Sequence, residues 1–441
     1  MGIRFFGLNG GASLFRHPRL RAGLSGERVT MSHLHARRSQ GLACTFWLLR
    51  LRKAPDMHYR DSIFTSLLKA LPRWRFERIV ARHGGDHYVK TMRTWTQLTA
   101  MVCTQLGPAS SLRGLVASWN ANAHHHYHLG VGAICRSTLS DANRLRPAAI
   151  FAETFAELSN QAGRRLKREG TELVRLLDSS PIPLGELFKC AEWNGRTKGM
   201  KLHLVYDPAA DHPMRIDITP ANVNDVCLAA SQPPEPGAVY VFDKGYADYG
   251  WWTRLHEADC IFVTRPKTNV RFELLETRPL PGTPGQGFTV IEDKLVRHHT
   301  RSHRRLPMIV RRITVRRLES NKTLTLICND LNRPANDIAM LYKTRWRIEL
   351  LFRWIKQNLK IRTFLGRSQN AVHIQIFAAM IAFLLLRLAA RASQCTLPAI
   401  RFAELIGASL FMRRPIDTID KPPQRQTKIA HENPDQLGFV I

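Results

Sequence analysis

Apolar positions along this chain follow two rhythms. From residue 58 to about 165 they recur every three or four residues in the runs "DSIFTSLLKAL", "RFERIVARH", "TWTQLTAMVCTQL" and "SLRGLVASWNANA", split by "GGD" and "GPAS". A helix turns about 100° per residue, so this spacing lines up one face and predicts short amphipathic helices separated by breaks. Asp141 is placed to open another helix, and "RPAAIFAETFAEL" carries a last one to the end of the segment. At about residue 172 the texture changes. "LVRLLDSSPIPL", "FKCAEW", "GMKLHLVYD", "MRIDITPA", "GAVYVFDKGY" and "CIFVTRP" are rich in branched and aromatic residues and read as strands. "DYGWWTRLHEA" reads as a helix between the last two, and residues 267 to 330 form a further β-like stretch.

The helical rhythm then returns. "PANDIAMLY", with Pro334 near its start, leads into "YKTRWRIELLFRWIKQNLK" (342 to 360), which has no Pro or Gly and predicts one continuous helix. Leu341, Thr344, Ile348, Leu351, Phe352, Ile355 and Leu359 fall in one arc about 100° wide. Tyr342, Arg345, Glu349 and Lys356 occupy the adjoining arc, about 60° wide, beside the buried seam. The uncharged run "AVHIQIFAAMIAFLLL" (371 to 386) is short for a membrane span and soon meets Arg387, so it reads as a buried core helix. Another helix is expected over 396 to 412, followed by a loose polar tail.

Composition changes this picture in two places. The chain of 441 residues can bury a large core, and its net charge of +30, from 65 Lys and Arg against 35 Asp and Glu, creates a positive field whose natural partner is a polyanion such as nucleic acid. Residues 1–56 carry ten Lys and Arg with only Glu27 and Asp56 as acids and weak periodicity, which reads as a disordered or non-native basic extension ahead of Met57. The eight cysteines are scattered with no CxxC pair, in keeping with a reducing compartment rather than a disulfide framework or zinc module.

Two more acids stand where chemistry is usually displayed. Asp178 ends the apolar run "VRLLD" and Asp243 ends "VYVFD". The carboxyl end of a buried strand is where open α/β sheets present functional groups. Three carboxylates make a hard oxygen donor set suited to Mg²⁺, and two such ions about 3.5–4 Å apart can clamp the attacking and leaving oxygens of a phosphodiester.

Tyr342, Arg345, Glu349 and Lys356 reproduce the Y-x2-R-x3-E-x6-K signature, and in this the chain resembles the insertion-sequence-4 type DDE transposases. "LLDSSPIP" is similar to that family's first-aspartate segment, although the family more often has Asp-Ser-Thr, and "YVFDKGYADYGWW" is similar to its second. "KGMKLHLVYD", "ANVNDV", "SLRGLVASW", "YHLGVGAICRSTLSDANRLRP" and "LPRWRFERIVARHGGD" extend the resemblance over nearly everything after Met57.

The resemblance implies an α/β fold: an α-helical DNA-binding domain over 57–165, then an RNase H-like catalytic domain over 166–395 with a β-rich insertion at about 267–330, and a C-terminal helix and tail over 396–441. It implies Asp178, Asp243 and Glu349 as the catalytic, metal-binding triad with two Mg²⁺ (or Mn²⁺) ions. Partners would be double-stranded DNA, as terminal inverted repeats and target, bound by a homodimer on paired ends in the bacterial cytoplasm at the nucleoid, with no membrane. The reaction would be end cleavage and strand transfer. A silent repressor derived from a transposase, or a nuclease that never joins, would keep the same residues.

DNA contacts are expected from Tyr342, Arg345 and Lys356, with Lys244 and Tyr246 touching phosphate and Trp251 stacking on a base. The basic runs "RHHTRSHRR" (297 to 305) and "RRITVRRLESNK" suggest a DNA track. "HHHYH" (124 to 128) reads as a solvated loop, because adjacent His side chains cannot all converge on one ion, and His203 as a structural strand residue.

Overall fold

In the computed structural model, residues 61–164, 172–299 and 306–421 are described, and the extension over 1–56 lies outside them. Seven helices come first: α1 (Ile63–Leu68), α2 (Arg73–Arg82), α3 (Thr94–Leu106), α4 (Leu112–Ala121), α5 (His126–Leu129), α6 (Arg136–Leu145) and α7 (Ala149–Arg164). Local chemistry sets their limits. Ser62 caps α1 by accepting from the Thr65 amide, and Ser111 caps α4 through the Gly114 amide. The "HHHYH" run is not a solvated loop. Residues 123–125 form a 3₁₀ turn that runs into α5, and His125 and His126 are buried, one stacked on Phe411 and the other bonded to the Trp119 carbonyl.

The strands follow: β1 (Val174–Pro183), β2 (Glu192–Trp193), β3 (Lys198–Asp207) and β4 (His212–Pro220). After helix α8 (Asp225–Ala230) come β5 (Val239–Phe242), helix α9 (Tyr249–Glu257) and β6 (Ile261–Thr264). β3 pairs antiparallel with β1 and with β4, while β5 lies parallel to β1 and β6 parallel to β5. The order β4-β3-β1-β5-β6 is the RNase H-like core. At Gly199 the two inner strands approach so closely that a Cβ would lie 2.1 Å from the Ile182 carbonyl oxygen, which only glycine avoids.

The β-rich insertion comprises β7 (Phe272–Thr277), β8 (Phe288–His298), β9 (Val310–Arg317) and β10 (Thr323–Cys328). It is not a separate lobe of sheet. β10 pairs antiparallel with β6, so all four strands prolong the core into one ten-stranded sheet. Part of the basic run over 297–305 lies outside the described residues.

Four helices close the chain: α10 (Ala335–Thr344), α11 (Trp346–Asn358), α12 (Gln369–Ala392) and α13 (Ala399–Ala408). The helix expected to run unbroken through 342–360 is interrupted at Arg345. There the Arg345 amide bonds to Tyr342 and the Ile348 amide to Arg345, three residues back instead of four, while the Thr344 hydroxyl donates to the Leu341 carbonyl. Arg345 keeps right-handed helical angles, so the axis tightens rather than turns away.

α12 is the only helix among the described residues long and apolar enough to cross a membrane, and 89% of its apolar window is buried in protein. It packs on α3, α6 and α7 from the helical segment and on β4 from the sheet. The described residues accordingly form one compact unit. A second tie crosses the same boundary: the Lys360 ammonium donates to the Thr104, Gly107 and Ala109 carbonyls, satisfying backbone groups left open at the end of α3.

Candidate active site

The sheet register brings the first two acids together. β1 and β5 pair in parallel with Leu177 opposite Phe242, so the next residues, Asp178 and Asp243, lie side by side where this pairing stops. Asp243 follows the end of β5, but Asp178, expected to end its strand, lies in the middle of β1, which runs on to Pro183 against β3. Leu176 and Val241 join the core cluster containing α11 and α12, whereas Leu177 and Phe242 join the one containing Trp251, Trp252 and Leu255. Side chains alternate faces along a strand, which directs Asp178, Ser180 and Asp243 toward α11.

α11 lies against β1 and supplies the third acid. Arg345 is the hinge of the arrangement, its guanidinium 2.5 Å from Glu349 Oε1 and 3.6 Å from Asp178 Oδ2. The Tyr342 hydroxyl donates to Asp243 Oδ1 at 3.3 Å, and the Lys356 ammonium donates to the Ser180 hydroxyl on β1. Tyr342, Arg345 and Lys356 thus reach β1 or the residue after β5, and Glu349 is joined to them through Arg345, despite the tightened turn there.

One partner was absent from the sequence reading. Arg265 holds Asp243 Oδ1 at 2.7 Å. The β5–β6 register pairs Val241 with Val263, so two residues on, past the strand ends, Arg265 lines up with Asp243. The strand-end rule that selected the two aspartates also selects this arginine when applied to "CIFVTRP".

Charge and burial set the protonation of the site. Burial pushes the Asp178 carboxyl up to about 6; the Ser179 amide and Arg345 oppose that shift, while the charges of Glu349 and Asp243 reinforce it. For Asp243, burial acts upward, but the Lys244 amide and Arg265 outweigh it and hold the carboxyl below its ordinary range. Burial drives the Tyr342 phenol up to about 12 and lowers the Lys356 ammonium.

Two expected DNA contacts are corrected by these positions. Trp251 is 2% exposed, packed against Phe242 and Tyr240 on the far face of the sheet, and Tyr246 is 4% exposed beside it. Neither ring is free to meet DNA, because α9 turns its apolar face, and both tryptophans, into the core. Lys244 is exposed. Tyr342 and Arg345 are largely enclosed and engaged with the acids. His203 is a buried strand residue whose ring bonds to the Thr219 hydroxyl at 2.8 Å.

Among the described residues no three His, Cys, Asp or Glu side chains converge closely enough to hold a metal ion. The cationic place among the acids is taken by guanidinium groups, with Arg345 touching two carboxylates and Arg265 the third. The donor chemistry still fits a hard divalent cation. Carboxylates are hard oxygen donors, and because burial and the charges of Glu349 and Asp243 raise the Asp178 carboxyl, a further positive charge beside it would favour its ionised form.

The chain is similar in sequence to named transposases. The family model "Transposase DDE domain" matches residues 169–385, and a domain of unknown function, DUF4372, matches 59–132. A Sinorhizobium fredii protein assigned as transposase y4zB is 53% identical over 304 residues, covering 68% of this chain and 85% of its own length. A Geobacillus stearothermophilus protein assigned as the transposase of insertion sequence element IS5377 is 28% identical, covering 57% of this chain and 66% of its own. A Synechocystis protein assigned to element IS4SA is 29% identical over 57% of this chain and 71% of its own. The cryo-EM structure of a piggyBac transposase synaptic complex with hairpin DNA aligns with 82% of this chain and 81% of its own at 10% identity and a TM-score of 0.38, too low to define a shared fold.

Proposed function

This chain belongs to the DDE transposases of insertion sequences, and from that premise we propose that it cuts the ends of its own element and joins the freed 3′-hydroxyls to target DNA. Family membership implies divalent-metal use. In this reading Asp178, Asp243 and Glu349 would hold two Mg²⁺ ions, which when bound would supply Lewis-acid chemistry at the phosphodiester.

The chain's own cations divide the remaining work. Arg345 and Arg265 neutralise the carboxylates until metal and DNA arrive, then turn their guanidinium donors to phosphate oxygens, for which a planar fork is well matched. Lys356, poised on Ser180, offers a point charge to a flanking phosphate. Tyr342 keeps its proton through the neutral range and holds Asp243 in place as a donor. Duplex DNA carrying the terminal inverted repeats is the substrate, bound as paired ends by a dimer at the bacterial nucleoid.

The observation that carries this reading is the meeting of residues from three distant segments: Arg345 touches both Asp178 and Glu349, while Tyr342 touches Asp243. The test is incubation of the purified protein with Mg²⁺ and a labelled duplex bearing the element's terminal repeats. Cleavage and strand joining are expected, and both should disappear in Asp243→Ala while DNA binding persists. Binding without cleavage by the wild type would indicate a repressor, and cleavage without joining would leave a nuclease.

A further inference from the structure

Helix α2 is packed on one side only. Phe76, Ile79 and Val80 are buried, and the helix rests against α3 and α7. At about 100° per residue, Trp74, Arg78 and Ala81 fall within about 60° of one another on the opposite side. All three are exposed, Trp74 by 55%. A tryptophan so placed adds little to the core. Its ring is flanked by cations instead, the Arg75 guanidinium 5.2 Å and that of Arg78 6.0 Å from its centroid. Glu77, Glu157 and Glu153 pair with Arg73, Arg75 and Arg82, which among the described residues leaves Arg78 without a carboxylate, as are Lys90 and Arg93 beyond the helix.

The turn after α2 presents a second ring. Tyr88 is 90% exposed with a φ of 59°, in the left-handed region that a bulky side chain enters only at a cost. At that exposure no core packing offsets the strain. The His87 ring lies beside it, with centroids 3.9 Å apart. The turn is nevertheless well held. Asp86 Oδ1 accepts from the Thr94 amide and hydroxyl, both at 2.7 Å, and the Val89 amide donates to the Asp86 carbonyl at 3.2 Å. At the other end of α2, the Arg73 guanidinium donates to the Gly130 carbonyl at 3.2 Å and ties on α5, whose Tyr127 is also exposed.

Charge selects the partner. Residues 73–93 hold six Lys and Arg against Glu77 and Asp86. Such a surface repels a second copy of a chain whose net charge is +30 and attracts a polyanion. Rings interleaved with guanidinium groups suit DNA in particular, since cations meet phosphate while apolar side chains meet bases. A helix also fits the major groove, and Ala81 is too small to hold the α2 backbone away from it.

We propose that the outer face of α2 and the Tyr88 turn form a docking surface for duplex DNA, with Arg78 on phosphate and Trp74 and Tyr88 against bases. The inference rests on the transposase reading, which makes DNA the partner, and adds where the helical segment meets it.

The test measures binding of full-length protein to labelled terminal-repeat duplex in EDTA, where no metal chemistry intervenes. Tyr88→Gly, which removes the ring and suits the positive φ, should melt close to the wild-type temperature yet bind about tenfold more weakly with an unchanged salt dependence. Trp74→Ala should behave alike. Arg78→Ala should also weaken binding about tenfold, but with the slope of log affinity against log salt shallower by about one. Arg401→Ala, an equal loss of charge on exposed α13, should weaken binding less than twofold.

Wild-type affinity in either aromatic variant would overturn the surface. So would a loss in Arg401→Ala equal to that in Arg78→Ala, because bulk charge would then explain both. Variants that alter the sedimentation coefficient and leave DNA affinity intact would make this face a protein interface and overturn it too. A wild type with no affinity for the duplex would overturn the transposase reading itself, before any variant is compared.

Discussion

At the scale of single residues, Asp178 bears a cost that folding alone does not require. Folding raises the Asp178 carboxyl from its ordinary 3.8 to about 6, so the folded state holds that proton more tightly than the unfolded chain does. Below pH 3.8 both states are protonated and the residue is neutral for stability. Between 3.8 and about 6 ionisation becomes progressively destabilising, and above 6 the full penalty applies, on the order of 2 kcal/mol for a side chain this enclosed. Asp178→Asn should therefore raise the melting temperature at pH 8 in EDTA and leave it nearly unchanged at pH 3.5. An equal shift at both would show that the carboxylate charge is not what strains the site.

This scale also marks what the sequence discloses. Asp178 and Asp243 stand out in the sequence because each follows an apolar run, although only Asp243 lies past the end of its strand while β1 continues beyond Asp178. Glu349 stands out because its neighbours form a long-spaced signature. Arg265 obeyed the same strand-end logic and went unread, since an arginine before a proline has no signature of its own. Tyr246 and Trp251 were misread for a physical reason. Proximity in sequence to a catalytic acid does not say to which side of the sheet a turn delivers its aromatic rings, and here it delivers them to the core.

At the scale of elements, periodicity located nearly every helix and strand but not their terminations. The apolar arc through 342–360 was correctly drawn, yet no pattern of hydrophobic residues reports the tightened turn at Arg345, which depends on the Thr344 hydroxyl and backbone bonding. The β insertion was legible as strands, whereas its fusion to β6 was not, because strand partnership is a property of register between distant segments. α12 was read as buried from its lack of charge, and the structure adds what buries it. Leu384, wholly enclosed, sits in a helix touching both the helical segment and the sheet. Leu384→Ala should cost about 2–5 kcal/mol, the usual range for a core cavity. Because α12 is shared, far-ultraviolet and tryptophan-fluorescence melts should still coincide in one transition. Two separated transitions would mean that the helical segment folds independently.

At the scale of the whole molecule, pH acts through buried histidines as well as acids. His203 and His212, nearly inaccessible, are lowered from 6.5 by burial, so the folded state refuses a proton that the unfolded chain accepts. Their contribution is complete above pH 6.5 and declines as pH falls below it. In an Asp178→Asn background, which removes the opposing contribution of that carboxyl, stability in EDTA should consequently fall between pH 7.5 and 5.5. A molecule equally stable at both values would show these rings to be solvated.

In the proposed function, the net charge of +30 attracts a polyanion, and the place where β1, β5 and α11 meet would receive it. The most direct measurement is anomalous diffraction from Mn²⁺ in crystals of the protein with terminal-repeat DNA. The account predicts anomalous density ligated by Asp178, Asp243 and Glu349 at the scissile phosphate, with Arg345 withdrawn from between the acids. Density elsewhere, or none while Arg345 still joins Asp178 to Glu349 in the DNA complex, would contradict it.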